Sequence, residues 1–159
     1  MHDSVRPVAQ LYGVNTALLE RALDGLDREA LRRQPSEGMN PPLWIAGHLT
    51  SVRFSICAML GEPRENPWGK TFFRGSALDM EALPEIDAIR QQWSEVSAVL
   101  QRRLEAATPE QLDAPAPRKF AIEDPTLRGG LTFLCWHEGY HIGQMSLLRK
   151  WQGLPGLVG

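Results

Sequence analysis

Two histidines, His137 and His141, lie four residues apart in a segment near the C-terminus whose apolar residues recur at helical spacing. Four residues of α-helix advance about 6 Å and turn about 400°, so both imidazole rings leave the same face. Two nitrogens on one face can share a metal ion at about 2.0–2.1 Å each. A third histidine, His48, lies in another helix-like segment. The three rings together predict a metal site with at least one open coordination position.

Each of these histidines also has an ordinary structural interpretation. A single buried histidine is usually hydrogen-bonded within a core, and pairs at four-residue spacing also arise by chance. Here His48 shares its helix face with Trp44 and Met59, and the C-terminal pair interrupts an apolar stripe. All three rings are therefore expected to point inward, where one shared ion satisfies their polar nitrogens together.

The string from His137 to His141 also satisfies the H-E-x-x-H pattern of zinc metalloproteases, in which the glutamate acts as general base. Those enzymes usually take their third ligand from further along the chain. No histidine, aspartate or glutamate follows His141, and no segment alternates as a half-buried strand would. The sequence therefore argues against a peptidase.

The apolar periodicity predicts an all-α fold, a four-helix bundle with long crossover connections. We expect long helices over about 5–26, 40–60, 84–104 and 124–152, and a short helical piece over 27–33. Asn40 before two prolines, and Asp124 before Pro125, are the expected caps. The long connections 61–83 and 106–124 are the expected crossovers. Residues 1–159 are expected to form one domain.

The composition argues against several classes of protein. Seventeen basic and nineteen acidic residues give a net charge of −2 without a basic stripe, so nucleic-acid binding is not expected. No apolar run is long enough to span a membrane, and the N-terminus lacks a secretory pattern. The two cysteines, Cys57 and Cys135, fit a reducing compartment and the role of small buried hydrophobes. We expect a cytoplasmic protein.

The Gly47-His48-Leu49 element, followed by a C-terminal helix reading His-Glu-Gly-Tyr-His-Ile-Gly-Gln-Met, resembles the DinB-like (YfiT-like) superfamily. The short segments 26–31 and 108–112 are also similar to that family. The resemblance covers nearly the whole chain, and its specific part is the H-x-x-x-H-x-G-Q string. It implies a four-helix bundle, often a homodimer, that binds a divalent metal such as zinc or nickel through His48, His137 and His141.

The resemblance also implies a reaction class. Some members are S-transferases that join a low-molecular-weight thiol to an electrophile, and others are isomerases that depend on such thiols. Three neutral imidazoles leave room for water or a thiol on the metal, and either becomes a nucleophile at neutral pH. We expect a thiol S-transferase acting on a small molecule; the alternatives are a metal-dependent hydrolase and a non-catalytic metal-binding stress-response or dimeric scaffold protein.

Two residues beside the pair are catalytic candidates. Gln144, one turn after His141 on the same face, is placed to hydrogen-bond a ligand or a metal-bound group; its alternative is a helix-packing amide. Glu138, about 100° from His137, is placed to orient an imidazole or act as a base; its alternative is an exposed helix glutamate.

Aromatic residues supply the candidates for substrate binding. Trp44 precedes His48 by one turn, and Trp68, Phe72 and Arg74 lie in the long connection, where they are candidates for binding an organic substrate and its anionic group. Core packing is the alternative for Trp44, and closing the bundle end is the alternative for the aromatic residues of the connection. The apolar tail 154–158 predicts a surface that pairs with a second subunit.

Overall fold

The computed structural model describes residues 1–73 and 78–158, and within those ranges the chain is helical without a β-strand. The helices are α1 (Arg6–Leu23), α2 (Arg28–Arg32), α3 (Pro42–Met59), α4 (Ile86–Ala106), α5 (Pro109–Asp113) and α6 (Leu127–Trp151). The long helices α1 and α3 each pack against both α4 and α6, while α2 packs on α3 and α5 on α6. The predicted all-α four-helix bundle is confirmed.

The connections join the helices differently from what the sequence predicted. Segments 24–41 and 107–126, which contain α2 and α5, join long helices that lie diagonally opposite in the bundle. The connection 60–85 joins α3 and α4, which are direct neighbours. The crossover predicted over 106–124 is therefore present, whereas 61–83 crosses no diagonal.

Two predicted helix caps were wrong. At α6 the cap is Thr126, whose hydroxyl accepts from the Gly129 N–H at 3.4 Å. Asp124 instead accepts from the Thr126 N–H at 2.9 Å, so it shapes the turn before the helix. At α3 the cap position is Pro41, one residue later than the predicted Asn40.

The first helix is also shorter than predicted. It ends at Leu23, because Asp24 is extended and Gly25 adopts a φ of +75°. Glycine takes that conformation without the steric penalty of a side chain. Apolar spacing alone carried the prediction three residues too far, to Leu26, whose side chain is buried although it lies outside the helix.

The core has two apolar clusters, one at each end of the bundle. One cluster is built around Tyr12, Leu100 and Leu131, and the other around Leu19 and Ile142. Each cluster receives side chains from all four long helices. Between them, at the middle of the bundle, lies a polar layer that includes His48, Arg53, His137, Glu138 and His141.

The side chain of Phe72 packs the connection 60–85 against α3. Its ring is 1% exposed and lies directly over Gly47. A Cβ atom added at Gly47 would overlap the Phe72 ring, so only glycine leaves the ring its place. The glycine that precedes His48 is therefore a packing requirement of the connection.

No helix in the described part of the chain is long and apolar enough to cross a membrane. Cys57 and Cys135 are buried free thiols, as expected. Burial is the main cause that raises the pKa of Cys57 to about 11 and that of Cys135 to about 12, so both stay protonated and unreactive at neutral pH.

The Gly47 contact predicts unequal effects of two glycine substitutions. Gly47→Ala should lower the free energy of unfolding by about 1–3 kcal/mol, because the methyl group displaces Phe72. Gly13→Ala, in α1 with open space around it, should raise it by roughly 0.5–1 kcal/mol. Urea unfolding of the two variants measures both. Equal effects of the same sign would contradict the packing role of Gly47.

Candidate metal centre

The structure brings His48, His137 and His141 together at mid-bundle. His48 projects from α3 and the other two from α6. The Nε2 atom of His137 lies 3.3 Å from Nε2 of His48 and 3.1 Å from Nε2 of His141. One ring nitrogen from each histidine lies within 4.8 Å of the others, and no carboxylate or thiolate joins this group among the residues that the structure describes.

These distances fit a metal ion. Ligand nitrogens at about 2.0–2.1 Å in a tetrahedral arrangement lie roughly 3.3–3.4 Å apart. The two Nε2 separations fall close to that range. Three tetrahedral positions would thus come from the histidines, and the fourth would remain for a substrate or water.

Hydrogen bonds on the far side of two rings fix the tautomer that a metal requires. His48 Nδ1 lies 2.7 Å from the backbone carbonyl oxygen of Phe72, which can only accept. His141 Nδ1 lies 2.7 Å from Oε1 of Gln144. In both rings Nδ1 therefore carries the proton, and the lone pair on Nε2 faces the centre. Gln144 thus contacts a candidate ligand, as its position on the helix predicted.

The His137 ring, unlike the other two, has no orienting hydrogen bond at Nδ1 in the described structure. The ring's Nδ1 atom is buried. Its other nitrogen, Nε2, lies 3.3 Å from Nε2 of His48 and 3.1 Å from Nε2 of His141. A shared ion would give the His137 ring a strong polar interaction that the protein alone does not provide.

All three imidazoles are neutral at pH 7. Burial is the main cause that lowers the pKa of each, and in His137 the neighbouring histidines and Arg118 add to it, bringing its pKa to about 4. The neutral ring is the form that binds a metal. No proton has to be displaced from these ligands in neutral solution.

The aromatic candidates have several roles. The Trp44 ring stacks on His48 with centroids 4.9 Å apart and the planes 9° from parallel, so it forms a wall of the site. Trp68 is half-buried and packs edge-on against the buried Phe72 at 5.5 Å. Phe73, which follows Phe72 in the sequence, is exposed. Arg74 lies outside the described residues.

Glu138 is not an exposed helix residue; it is fully buried. Its carboxylate accepts from Arg53 Nε at 2.8 Å and from Arg53 Nη2 at 2.9 Å, a bidentate ion pair between α6 and α3. Asn15 donates to the same carboxylate at 3.3 Å. The glutamate in the position of the protease base therefore binds α3 and α1.

Arg53 organises the polar layer and was not among the residues predicted from the sequence. Its guanidinium donates to Thr16, Ser97 and the Tyr12 carbonyl besides Glu138, and it lies 3.6 Å from the centroid of the Trp93 ring. These contacts connect all four long helices. One signal was available: Arg53 is the sole charged residue of α3. A lone charge inside an otherwise apolar helix predicts a buried partner.

The C-terminal tail packs on its own chain. Leu157 is buried, and its backbone N–H donates to Ser146 Oγ at 3.0 Å. Val158 remains 75% exposed. The tail therefore offers less apolar surface to a second subunit than the sequence suggested.

The lowered histidine pKa values predict a loss of stability in acid. Below pH 6.5 the unfolded chain binds protons on these rings, whereas folded His137 stays neutral until about pH 4. The metal-free protein should therefore lose stability as the pH falls from 6.5 towards 4. In His137→Gln this loss should be smaller. Urea unfolding at pH 7 and pH 5 compares the two chains; an identical pH dependence would contradict the neutral buried ring.

The Arg53–Glu138 ion pair predicts an asymmetric mutant series. Arg53→Met should cost about 3–5 kcal/mol, because it leaves a buried carboxylate unpaired, and adding Glu138→Leu should recover most of the loss. Arg28→Met, which breaks an exposed pair with Glu85, should cost less than about 1 kcal/mol. Denaturant unfolding measures all three variants. A double variant as unstable as Arg53→Met alone would overturn this account.

Comparison with known proteins agrees with the fold. A model of the DinB superfamily matches residues 11–145. YfiT from Bacillus subtilis, described as a probable metal-dependent hydrolase with an unusual four-helix bundle topology, is similar in structure, with a TM-score of 0.67 and 16% sequence identity over 97% of this chain and 91% of its own. None of the curated proteins compared matches the chain. Since the family model spans most of the sequence, the chain belongs to the DinB superfamily.

Proposed function

We propose that this protein is a divalent-metal-dependent S-transferase that joins a low-molecular-weight thiol to an electrophilic small molecule. The observation that carries the proposal is a set of three neutral imidazoles with no carboxylate in the group, as far as the chain is described. Such a set leaves the full charge of a divalent ion uncompensated. A zinc or nickel ion held there would lower the pKa of a coordinated thiol and so supply a thiolate at neutral pH.

The chain's own residues prepare this step. His48, His137 and His141 would hold the ion, while the Phe72 carbonyl and Gln144 fix two of the rings. The reaction would release the thiol proton to solvent, form a carbon–sulfur bond, and break the bond between carbon and the leaving group, which departs with its electron pair. Because the thiol loses its proton before attack, the reaction needs no general base on the protein.

Hydrolysis is the second candidate. The likeness to YfiT, described as a probable metal-dependent hydrolase, favours it. Against it stands Glu138, which occupies the sequence position of the general base in H-E-x-x-H enzymes but is ion-paired to Arg53. Attack by water benefits from a base that takes up its proton. A metal-bound thiol would be deprotonated outright, whereas metal-bound water would reach a pKa of only about 7. The transferase therefore depends less on a protein base, which is why we rank it first.

Three further expectations come from the sequence and the family resemblance. They are a homodimer, a cytoplasmic location and, as a third functional alternative, a metal-binding scaffold without turnover.

Metal content and product analysis test the proposal. The purified protein should carry about one divalent ion per chain by elemental analysis, and His48→Ala and His141→Ala should lose it. His2→Ala removes a histidine outside the cluster and should keep it. The metal-loaded protein, given glutathione, bacillithiol or mycothiol with 1-chloro-2,4-dinitrobenzene, should form the thioether.

The outcomes separate the candidates. Unchanged metal content in both cluster variants would refute the metal centre. Metal-dependent cleavage of 4-nitrophenyl acetate without thioether formation would favour the hydrolase, and neither reaction would favour the scaffold.

A further inference from the structure

A cavity of about 440 Å³ lies between the end of α6, the start of α3 and the connection that precedes α3. Its walls include Met39, Ile45, Gln144, Leu147, Leu148 and Trp151. Among the described residues that line it, none is charged. The volume is in the range of cavities that bind small organic molecules.

Several large apolar side chains around this cavity are exposed to solvent. Met39 is 43% exposed, Leu147 63% and Trp151 47%. Single exposed apolar residues are common on proteins, but a group of them around one concave surface marks a binding site. A second cavity, of about 610 Å³, has the opposite character, since it is lined by charged residues such as Arg28 and Glu85, which pair with each other at 2.9 Å.

The apolar cavity shares a wall with the candidate metal centre. Gln144 lines the cavity, and its Oε1 lies 2.7 Å from His141 Nδ1. On α3, Ile45 lines the cavity one turn before His48. A molecule in the cavity would therefore lie against residues that neighbour the ligand histidines on both helices.

We infer that this cavity binds the uncharged apolar body of the electrophilic substrate, with an aromatic ring as its preferred occupant. The inference rests on the proposed function, because it assigns the substrate class of the same site. An anionic molecule would lose hydration there without gaining a cationic partner. The Trp151 indole offers an aromatic ring a stacking surface, and Leu147 and Leu148 offer apolar contact.

A binding experiment on the metal-free protein tests the inference. After chelator treatment, 1,3-dinitrobenzene, an unreactive nitroaromatic, should quench tryptophan fluorescence with a saturable 1:1 isotherm. The saturable part should disappear in Trp151→Phe. The anionic 3,5-dinitrobenzoate should bind at least about tenfold more weakly, because no cation lines the cavity.

Charge substitutions locate the site. Leu147→Glu and Met39→Glu, on two walls of the cavity, should each weaken dinitrobenzene binding by about tenfold or more. Val14→Glu is the matched control, since Val14 is 51% exposed on α1 and does not line the cavity, and its binding should equal that of the parent.

Three results would overturn the inference: no saturable binding, equal weakening in Val14→Glu, or equal affinity for dinitrobenzoate. The test requires neither metal nor turnover. A failure to bind would therefore leave the metal and transferase results as they stand, and a protein without turnover would still report on the cavity.

Discussion

The relative position of α3 and α6 at mid-bundle is the constraint on which the rest of the structure depends. His48 lies on one helix and His137 and His141 on the other, so a slide of one helix by a single turn, about 5.4 Å, would separate the rings. The Arg53–Glu138 pair lies five residues after His48 and one residue after His137. A bidentate guanidinium–carboxylate pair tolerates little displacement. Buried ion pairs often add little net stability, and here the pair's evident effect is to hold the two helices in register.

The polar layer combines two kinds of buried chemistry. On one side of it the histidine rings offer lone pairs to an ion, and on the other the Arg53 guanidinium meets a full set of acceptors. The apolar clusters above and below isolate this layer from solvent-exposed ends of the bundle. Glu138 belongs to the structural side although its neighbour in sequence, His137, belongs to the other. One turn of α6 thus serves both purposes.

Much of the fold and the centre of the site could be predicted from sequence because both depend on helical periodicity. The stripe in α6 and the four-residue spacing of His137 and His141 state directly which side chains share a face. What the spacing does not state is the partner across the core. The spacing therefore predicted Glu138 to be either a catalytic residue or an exposed helix residue, and neither prediction includes its buried partner Arg53. The helix ends at Asp24 and Thr126 depend on local hydrogen bonds that apolar spacing does not encode.

The two acceptors that orient the His48 and His141 rings differ in whether a point mutation can change them. His141 is oriented by a side-chain amide, and a single codon change at Gln144 can remove, shorten or charge that acceptor. His48 is oriented by the main chain at Phe72, and every amino acid supplies the same carbonyl. Point mutations can therefore change the acceptor that orients His141. The acceptor that orients His48 can change only if the path of the backbone changes.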